Sequence, residues 1–343
     1  MGAVRQVREA IKLIEADGWQ EGITKGSHAR NVNNLAAFTL ILICTVCPAA
    51  YAQGDDQPPQ GQQPTTTPTP IKAPAPPLFP RHRRGIYRDS QGFDVVDATP
   101  QSPPLDADDP NVPDKGAWEI NFTTLGDLTK ETKRADLLLV DANYGLLPKI
   151  AGHELPTQLK IEFPLAAIWT NGGPSAFGVG AAEVGLKFNF YNNERTGLSV
   201  AVYPQVEFAP PGSGATEKGL AEPGQTFILP LLVSKEFGSF TFVANGGLEK
   251  PLHVPDGGLA GTFGVGLGRA LTRRLAAMIE LSGESSFAAG SDRLMYFNVG
   301  VIRGVHNIIL YAKWGHSLRS SDGVSHSYIG GGVKLLIQPG KQP

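Results

Sequence analysis

The sequence predicts an all-β fold: an antiparallel transmembrane β-barrel of about 12 strands, preceded by a signal peptide and a disordered Pro-rich segment. Three observations lead to this prediction. Residues 116–338 alternate apolar and polar side chains, their candidate strands are long, and the breaks between the strands alternate in length. The 41 glycines and the low share of charged residues, 18%, agree with many tight turns and closely spaced backbones.

The alternation is the main signal for strands, because successive side chains of a strand point to opposite faces. In one such stretch Ile279 and Leu281 fall on one face, and Glu280 and Ser282 fall on the other. Most candidate strands have about 9 to 13 residues, which suits a membrane strand better than a soluble one, whose mean length is about 5 or 6. We expect these strands to start near residues 117, 135, 156, 179, 197, 226, 238, 259, 273, 293, 305 and 326.

The breaks between the strands are short and long in turn. NNERTG, EFGS, ALTRR and RGVHN are short, whereas PPGSGATEKGLAEPGQ, KPLHVPDGG, SSFAAGSDR and SLRSSDGVSH are longer. Short periplasmic turns, longer outer loops and an even strand number are typical of an outer-membrane barrel. One break, LLPKIAGHELPT, is too long for its place in this pattern.

The polar face of such a barrel is its lumen, where water or opposite charges can satisfy charged groups. Eight inward charges are expected, and solutes would meet the first six: Glu183, Lys187, Glu207, Glu249, Glu280, Lys313, Glu284 and Lys334. Together with the long loop of residues 210–225, these charges would set selectivity. Inward charges can also pair across a narrow barrel and close it, and the sequence leaves both possibilities open.

An export signal precedes the barrel. Residues 35–52 contain the apolar run LAAFTLILICTVCPAA followed by small residues at Ala50 and Ala52, which predicts cleavage before Gln53. The run is shorter than the roughly 20 residues that span a bilayer. Cys44 and Cys47, the chain's 2 cysteines, lie within it, so the mature chain would have no thiol or disulfide chemistry.

Residues 1–34 are longer than an export signal needs. The stretch IKLIEADGW followed by TKGSHAR resembles the opening helix and first strand of HicA-type mRNA-interferase toxins, with His28 in the place of their histidine. This resemblance covers only residues 7–30, because the apolar signal stands where the rest of that fold would be. We interpret residues 1–34 as a vestigial extension or as a start codon assigned too far upstream.

Residues 53–115 form a Pro-rich segment with half of the chain's 28 prolines. Tracts such as GQQPTTTPTPIKAPAPP cannot bury a core, which predicts a disordered periplasmic linker. Near its end, Asp106, Asp108 and Asp109 could bind Ca²⁺, although they lack an EF-hand spacing. We prefer the interpretation that they form a turn or make a plug contact with a lumenal lysine or arginine.

Four segments carry a family resemblance over residues 102–337. They are SPPLDADDPNVPDKGAWEINF, LLLVDANYGLL with QLKIEFPLA, GAAEVGLKFNF, and LPLLVSKEFGSFTFVANGGLEKP. In this order they resemble the outer-membrane transporter family named for the meta-pathway of phenol degradation. The resemblance implies an exported barrel that moves small, often hydrophobic or aromatic compounds. It also implies outer-membrane lipid, lipopolysaccharide and the outer-membrane assembly machinery as partners, and no catalytic residues.

The end of the chain departs from the pattern of outer-membrane barrels. Many such barrels end in an aromatic residue that marks them for assembly. Here we expect Ile337 to close the last strand, and the tail of residues 339–343 is polar.

Catalysis by a serine–histidine pair is the enzymatic alternative for a barrel of this size. The candidates are His316 with Ser317 and His326 with Ser327. Because neighbours on a strand point to opposite faces, neither adjacent pair could act as base and nucleophile. The sequence therefore predicts no enzyme.

Metal, nucleotide and nucleic-acid sites are not predicted either. Four further histidines lack any metal-ligand spacing: His82, His153, His253 and His306. The glycine run 264–268 has no following helix to hold a phosphate, so its alternate glycines are interpreted as leaving room in the lumen. A net charge of -2 argues against nucleic-acid binding, and no cofactor is expected.

Two functions follow from these observations. The first is a channel or transporter for small, hydrophobic or aromatic compounds. The alternative is a closed structural or adhesive barrel, tethered through its Pro-rich segment. A lumen blocked by paired charges or by residues 53–115 would favour the second.

Overall fold

The computed structural model describes residues 85–88, 94–252, 258–287, 293–321 and 323–338. The predicted N-terminal extension with His28, the signal peptide, the linker up to residue 84 and the tail at 339–343 lie outside these ranges, as do His82 and His253. No helix among the described residues is long and apolar enough to cross a membrane.

The regular structure of the described residues consists of strands. In chain order they are β1 Ile86–Arg88, β2 Asp94–Val96, β3 Trp118–Leu128, β4 Thr132–Leu146, β5 Lys149–Ile150, β6 His153–Glu154, β7 Thr157–Thr170, β8 Ser175–Val179, β9 Ala182–Asn193, β10 Leu198–Val202, β11 Gln205–Phe208, β12 Gln225–Phe237, β13 Phe240–Leu252, β14 Ala260–Thr272, β15 Leu275–Ser286, β16 Arg293–Val305, β17 Ile308–Ser320 and β18 Ser327–Ile337.

The main sheet closes into an antiparallel barrel, because β18 pairs with β3. It contains 14 of these strands, but β8 and β9 are one interrupted membrane strand beside β7, and β10 and β11 are another beside β12. Subtracting these two interruptions leaves a barrel of 12 strands. The predicted fold class is therefore confirmed, and the strands begin within a few residues of the expected positions.

The two faces of the wall have opposite polarity. Ile279 and Leu281 on β15 are 47% and 43% exposed, whereas Glu280 and Ser282 are each 2% exposed. Large apolar side chains cover the outside elsewhere as well, including Trp118, which is 40% exposed. A wall that is apolar outside and polar inside suits a lipid surround rather than a soluble sandwich, in which the apolar face is buried.

The two ends of the barrel differ in their connections. We call the end where β3 begins and β18 finishes the turn end, and the opposite end the loop end. Residues 238–239, 273–274 and 306–307 make tight turns at the turn end. Gly238 has a φ of 64°, which a residue with a Cβ rarely adopts. The overlong break predicted at 146–157 also lies there and forms the small hairpin of β5 and β6.

The loop end carries the long loop of residues 209–224 and two connections that are shorter than the predicted pattern, at 129–131 and 171–174. Ile337 closes β18, as expected. With an even number of strands, both ends of the barrel sequence lie at the turn end.

Residues 94–116 lie inside the barrel, and we call them the plug. The plug enters at the turn end, where the Val96 amide donates to the Arg273 carbonyl at 2.7 Å, and it leaves there, where the Gly116 amide donates to the Gly145 carbonyl at 2.8 Å. Val96 and Ala107 are 1% and 0% exposed. The predicted disordered linker of residues 53–115 is therefore wrong for residues 94–115, which pack against the inner wall.

Candidate functional site

The side chains predicted to line the lumen all lie inside the barrel. Their exposed fractions are 9% for Glu183, 0% for Lys187, 7% for Glu207, 3% for Glu249, 2% for Glu280 and 7% for Lys313. They do not form a single cluster. Glu280 and Lys313 meet at the tip of the plug, Lys187 contacts another part of the plug, and Glu183 pairs with Lys160 on the wall at 2.7 Å. A role in binding solute stays a prediction for all six.

Charged wall residues hold the tip of the plug. The Asp106 carboxylate pairs with the Lys313 ammonium and accepts a hydrogen bond from the Asn298 amide at 2.9 Å. The Glu280 carboxylate accepts hydrogen bonds from the backbone amides of Asp106 at 3.1 Å and Ala107 at 2.6 Å. Burial opposes ionisation of Asp106, but the charge of Lys313 and the hydrogen bonds from Lys313 and Ser282 act together against burial, and the pKa of Asp106 is lowered to about 2. The expected contact between the acidic cluster and a lumenal lysine is confirmed.

A second anchor follows the tip. The Lys187 ammonium lies 3.2 Å from the Asp108 carboxylate and donates to the Asp109 carbonyl at 2.8 Å. The Asn189 amide donates to the Pro110 carbonyl, also at 2.8 Å. Because Lys187 is fully buried, the ion pair is shielded from water and more strongly coupled than a surface pair would be.

Glycines on β14 make space for the plug backbone. Gly264, Gly266 and Gly268 face inward at alternate positions. A Cβ at Gly268 would overlap the carbonyl oxygen of Ala98, and one at Gly266 would lie 2.8 Å from the Cβ of Pro100. The interpretation that these glycines leave lumenal room is confirmed, and the plug occupies that room.

An apolar cluster completes the contact near the turn end. Its plug members are Val96, Ala98 and Leu105, and its wall members are Ala276, Met278, Ile302, Ile309 and Tyr311. The sequence analysis missed these plug residues because their isolated apolar side chains stand among prolines and aspartates, without strand or helix periodicity.

Asp97 is the other buried carboxylate of the plug whose ionisation is strongly perturbed. Burial raises the pKa of Asp97 to about 7 from its ordinary value of 3.8, and the neighbouring Asp109 adds to the rise. Hydrogen bonds from the Thr99 amide, at 2.9 Å, and the Thr99 hydroxyl, at 2.7 Å, oppose the rise without cancelling it.

The long loop of residues 209–224 folds inward at the loop end. Leu220 is fully buried and packs with Ala166 and Ile168 of β7. The Arg134 guanidinium donates to the Leu220 carbonyl at 3.0 Å. The loop therefore narrows the barrel at the loop end, while the plug occupies the lumen nearer the turn end.

Arg134 and Asp136 are inward residues that the alternation did not reveal. On β4 they face inward at even positions, whereas Asp141 and Asn143 face inward at odd positions. A bulge between Asp136 and Leu138 causes the change, because one extra residue reverses the faces of everything that follows. In the sequence, the bulge could have been recognised only from a switch of the polar residues from even to odd positions within this 15-residue strand.

The histidines and serines at the loop end pair differently from the adjacent pairs considered above. The His316 ring lies 3.0 Å from the Ser327 hydroxyl, across β17 and β18. The other ring nitrogen of His316 lies 3.4 Å from the Ser325 hydroxyl. On the inner side, the His326 ring is 3.1 Å from the Asp127 carboxylate. Neither adjacent pair therefore makes the contact that catalysis requires, and within the described part of the chain no carboxylate contacts His316.

Fold comparisons place the barrel among known outer-membrane proteins. An outer-membrane channel from Pseudomonas putida F1 matches with a TM-score of 0.55 and 11% identity, over 68% of this chain and 100% of that chain. The NanC porin matches with a TM-score of 0.44 and 7% identity, over 63% and 98% of the two chains. The translocator domain of the autotransporter NalP from Neisseria meningitidis matches with a TM-score of 0.42 and 11% identity, over 64% of this chain and 88% of that chain.

This chain has the fold of an outer-membrane β-barrel channel. The P. putida structure carries that conclusion, since its whole length is covered, and at this identity the likeness shows the fold alone. No model of a protein family matches the sequence, and no curated protein gives a significant match.

Proposed function

We propose that this protein is an outer-membrane channel for small solutes and that the plug closes it in the state described here. One observation carries the proposal: the segment that fills the lumen enters and leaves by the same end, so that it can withdraw, and the wall that it covers is hydrophilic. The wall beneath the plug is polar and charged, at Lys187, Glu280 and Lys313. Such a wall remains compatible with water once the plug has left.

The nature of the solute is part of the same proposal. The resemblance to the phenol meta-pathway transporters supports small hydrophobic or aromatic compounds. In its proposed location the apolar outer face contacts outer-membrane lipid and lipopolysaccharide, after insertion by the outer-membrane assembly machinery.

Conductance in planar bilayers tests the channel. We expect the mature protein, beginning at Gln53, to show rare openings, because the plug must first leave its ion pairs. A variant lacking residues 53–115 should conduct continuously and with a larger unit conductance. Circular dichroism and the heat-dependent gel mobility of folded barrels serve as controls for folding. Silence from a folded, shortened protein would contradict the channel.

The filled lumen also favours the alternative of a closed structural barrel, tethered through its Pro-rich segment. In a structural barrel the plug would simply replace the missing core. The shortened variant separates the two functions, since a plug that serves as a core should leave an unstable barrel when it is removed. Loss of the folded state without residues 53–115, rather than a larger conductance, would support the structural barrel.

The raised pKa of Asp97 predicts pH-dependent closure. In a released plug this carboxyl ionises near 3.8, whereas in the docked plug it ionises near 7. Docking of the plug therefore takes up a proton at pH values between 3.8 and about 7. The contribution of protonated Asp97 to docking is complete below pH 3.8 and is lost as the pH rises through about 7. Asp106 has the opposite effect, because its ionised form favours docking. That contribution is lost only as the pH falls towards about 2.

We expect openings to be about 100-fold more frequent at about pH 8 than at about pH 5, because docking takes up one proton over about two pH units of that interval. Single-channel records at both values measure this ratio, and Asp97→Asn should abolish most of it, because the amide does not titrate. A ratio that persists in Asp97→Asn would assign the pH dependence to wall residues instead.

A further inference from the structure

The wall around the plug tip has the form of a binding site for a carboxylate. The Asp106 carboxylate pairs with the Lys313 ammonium of β17. It also accepts hydrogen bonds from the Asn298 amide of β16 and the Ser282 hydroxyl of β15, both at 2.9 Å. Lys313, Asn298 and Ser282 are 7%, 0% and 2% exposed. Because paired strands of a closed barrel carry these donors, we expect them to keep their positions when the plug leaves.

Acceptors for a nitrogen lie next to these donors. The Glu280 carboxylate accepts the backbone amides of Asp106 at 3.1 Å and Ala107 at 2.6 Å. The Asn298 amide also donates to Glu280, at 2.8 Å, and so joins the two halves of the site. Asp106 thus presents a carboxylate and an N–H that are separated by two carbon atoms, its Cβ and Cα. The wall binds both groups at once.

One further acceptor at this place lacks a partner. Asn298 is fully buried, and its Oδ1 atom has no hydrogen bond from any described residue. The orientation of its amide is fixed, because the Nδ2 atom faces the carboxylates of Asp106 and Glu280. Oδ1 lies over Gly315, the next inward position after Lys313 towards the loop end, where an added Cβ would approach it to 2.0 Å. Since a buried acceptor is costly until a donor reaches it, Oδ1 points to a ligand with a further N–H.

The charges of the site suit a zwitterion better than a simple anion. Of the wall residues that hold Asp106, Lys313 supplies one positive charge and Glu280 one negative charge. Glu280 would repel a lone carboxylate, and Lys313 would repel a lone ammonium. A molecule that carries both groups satisfies each charge, and in a site shielded from water an unmatched charge is costly.

We propose that the plug tip mimics the solute and that this site binds small amino carboxylates whose two charged groups are separated by two carbon atoms, as in β-alanine and aspartate. The solute carboxylate takes the place of the Asp106 carboxylate, and the ammonium donates to Glu280 and to the Oδ1 atom of Asn298. Because solute and plug use the same groups, the solute binds only the released state and favours opening. The inference rests on the proposed channel function and adds the polar group that its solutes carry.

The neighbouring wall suits an aromatic remainder of such a solute. Leu294, Tyr296 and Tyr328 form an apolar cluster on the loop-end side of Lys313. The Tyr328 ring lies 5.8 Å from the Lys313 ammonium. An aromatic amino carboxylate therefore fits both the polar site and the aromatic solutes proposed above.

Thiol labelling of the plug tests the site without requiring conduction. Val112 lies in the plug and is 1% exposed, so the reaction of Val112→Cys with N-ethylmaleimide reports release of the plug. The predicted mature chain, beginning at Gln53, has no other cysteine. A low maleimide concentration keeps the labelling rate proportional to the released fraction.

We expect β-alanine to speed this labelling about tenfold at about ten times its Kd, because the released fraction grows as one plus the ratio of ligand concentration to Kd. The sample is the mature protein purified from outer membranes. Propionate lacks the amine and propylamine lacks the carboxylate, so each should change the rate by less than about twofold at the same concentration.

Glu280→Gln tests the nitrogen half of the site. Rates with and without solute are compared as a ratio, so that a faster resting rate in the variant cancels. The ratio for β-alanine should fall to that for propionate, because the ammonium has lost its counter-charge. Glu194→Gln, on an exposed turn at the turn end, is the matched control and should keep the tenfold response.

The outcomes separate the site from the channel. Equal acceleration by propionate and β-alanine would overturn the zwitterion and leave a plain carboxylate site. No acceleration by any of the three solutes, in a barrel that conducts once residues 53–115 are removed, would overturn the site and leave the channel. Acceleration by β-alanine in a protein that never conducts would support the site and overturn the channel.

Discussion

The variant Gly268→Leu is expected to hold the channel open. Its side chain would occupy the place of the Ala98 carbonyl, a backbone atom that cannot move aside as a flexible side chain could. The plug would have to leave β14 along residues 98–100, and its apolar contacts through Val96 and Ala98 would be lost with it. Removing buried apolar contacts and forcing a backbone shift costs at least about 2 kcal/mol, or roughly 30-fold in the docking equilibrium.

Gly246→Leu is the matched control, because Gly246 on β13 has nothing within 4 Å of an added Cβ. It should insert and conduct like the unchanged protein. The measurement is the open probability of each variant in planar bilayers, with thermal unfolding as a check on the barrel. If Gly268→Leu remained as silent as the unchanged protein while folding normally, the plug would not be what closes the lumen.

Much of the barrel could be predicted because its determinants are local. An alternation such as that of Ile279, Glu280, Leu281 and Ser282 depends only on neighbouring residues, so the sequence displays it directly. Turn residues mark the ends of the strands in the same way, as Gly238 does. The number of strands, their starting points and the inward position of charges such as Glu280 follow from these local rules.

The acidic cluster was expected to contact a lumenal lysine, but the full extent of the plug could not be predicted, because the residues that order it lie far away in the chain. Asp106 is 207 residues from Lys313 and 174 residues from Glu280, counted from its backbone amide contact. Judged by composition alone, residues 94–115 belong with the Pro-rich residues before them, for which the sequence predicts disorder. Inward glycines such as Gly266 and Gly268 on β14 leave the space that the backbone of this segment occupies. The glycine run was a visible signal of that space, but not of its occupant.

The inward charges near the loop end show a second limit of the sequence. Asp136 escaped the alternation because a bulge in β4 reverses the faces within one strand. Asp127 and His326 lie 199 residues apart and meet only because β18 closes the barrel against β3. Inward charges were therefore predictable one strand at a time, whereas the level they share was not.

Lys313→Met is expected to weaken plug docking at least as much as Gly268→Leu, but through charge. Lys313 is the cation that holds the Asp106 carboxylate, and Glu280 lies beside both. Without Lys313, two carboxylates would face each other in a buried site, which typically costs about 3 kcal/mol. The open probability should rise about 100-fold, since each 1.4 kcal/mol is roughly a factor of 10. Planar-bilayer records measure this rise.

The double variant Lys313→Met with Asp106→Asn identifies the cause. Removing both charges should restore closure in part, because no uncompensated carboxylate remains at the plug tip apart from Glu280, which keeps its backbone amide donors. We expect a coupling energy of about 1 to 3 kcal/mol between the two substitutions. Strictly additive effects would mean that Lys313 acts on the channel independently of Asp106, for example through the Tyr328 ring 5.8 Å away. That result would contradict the role of the Lys313–Asp106 ion pair in closing the channel.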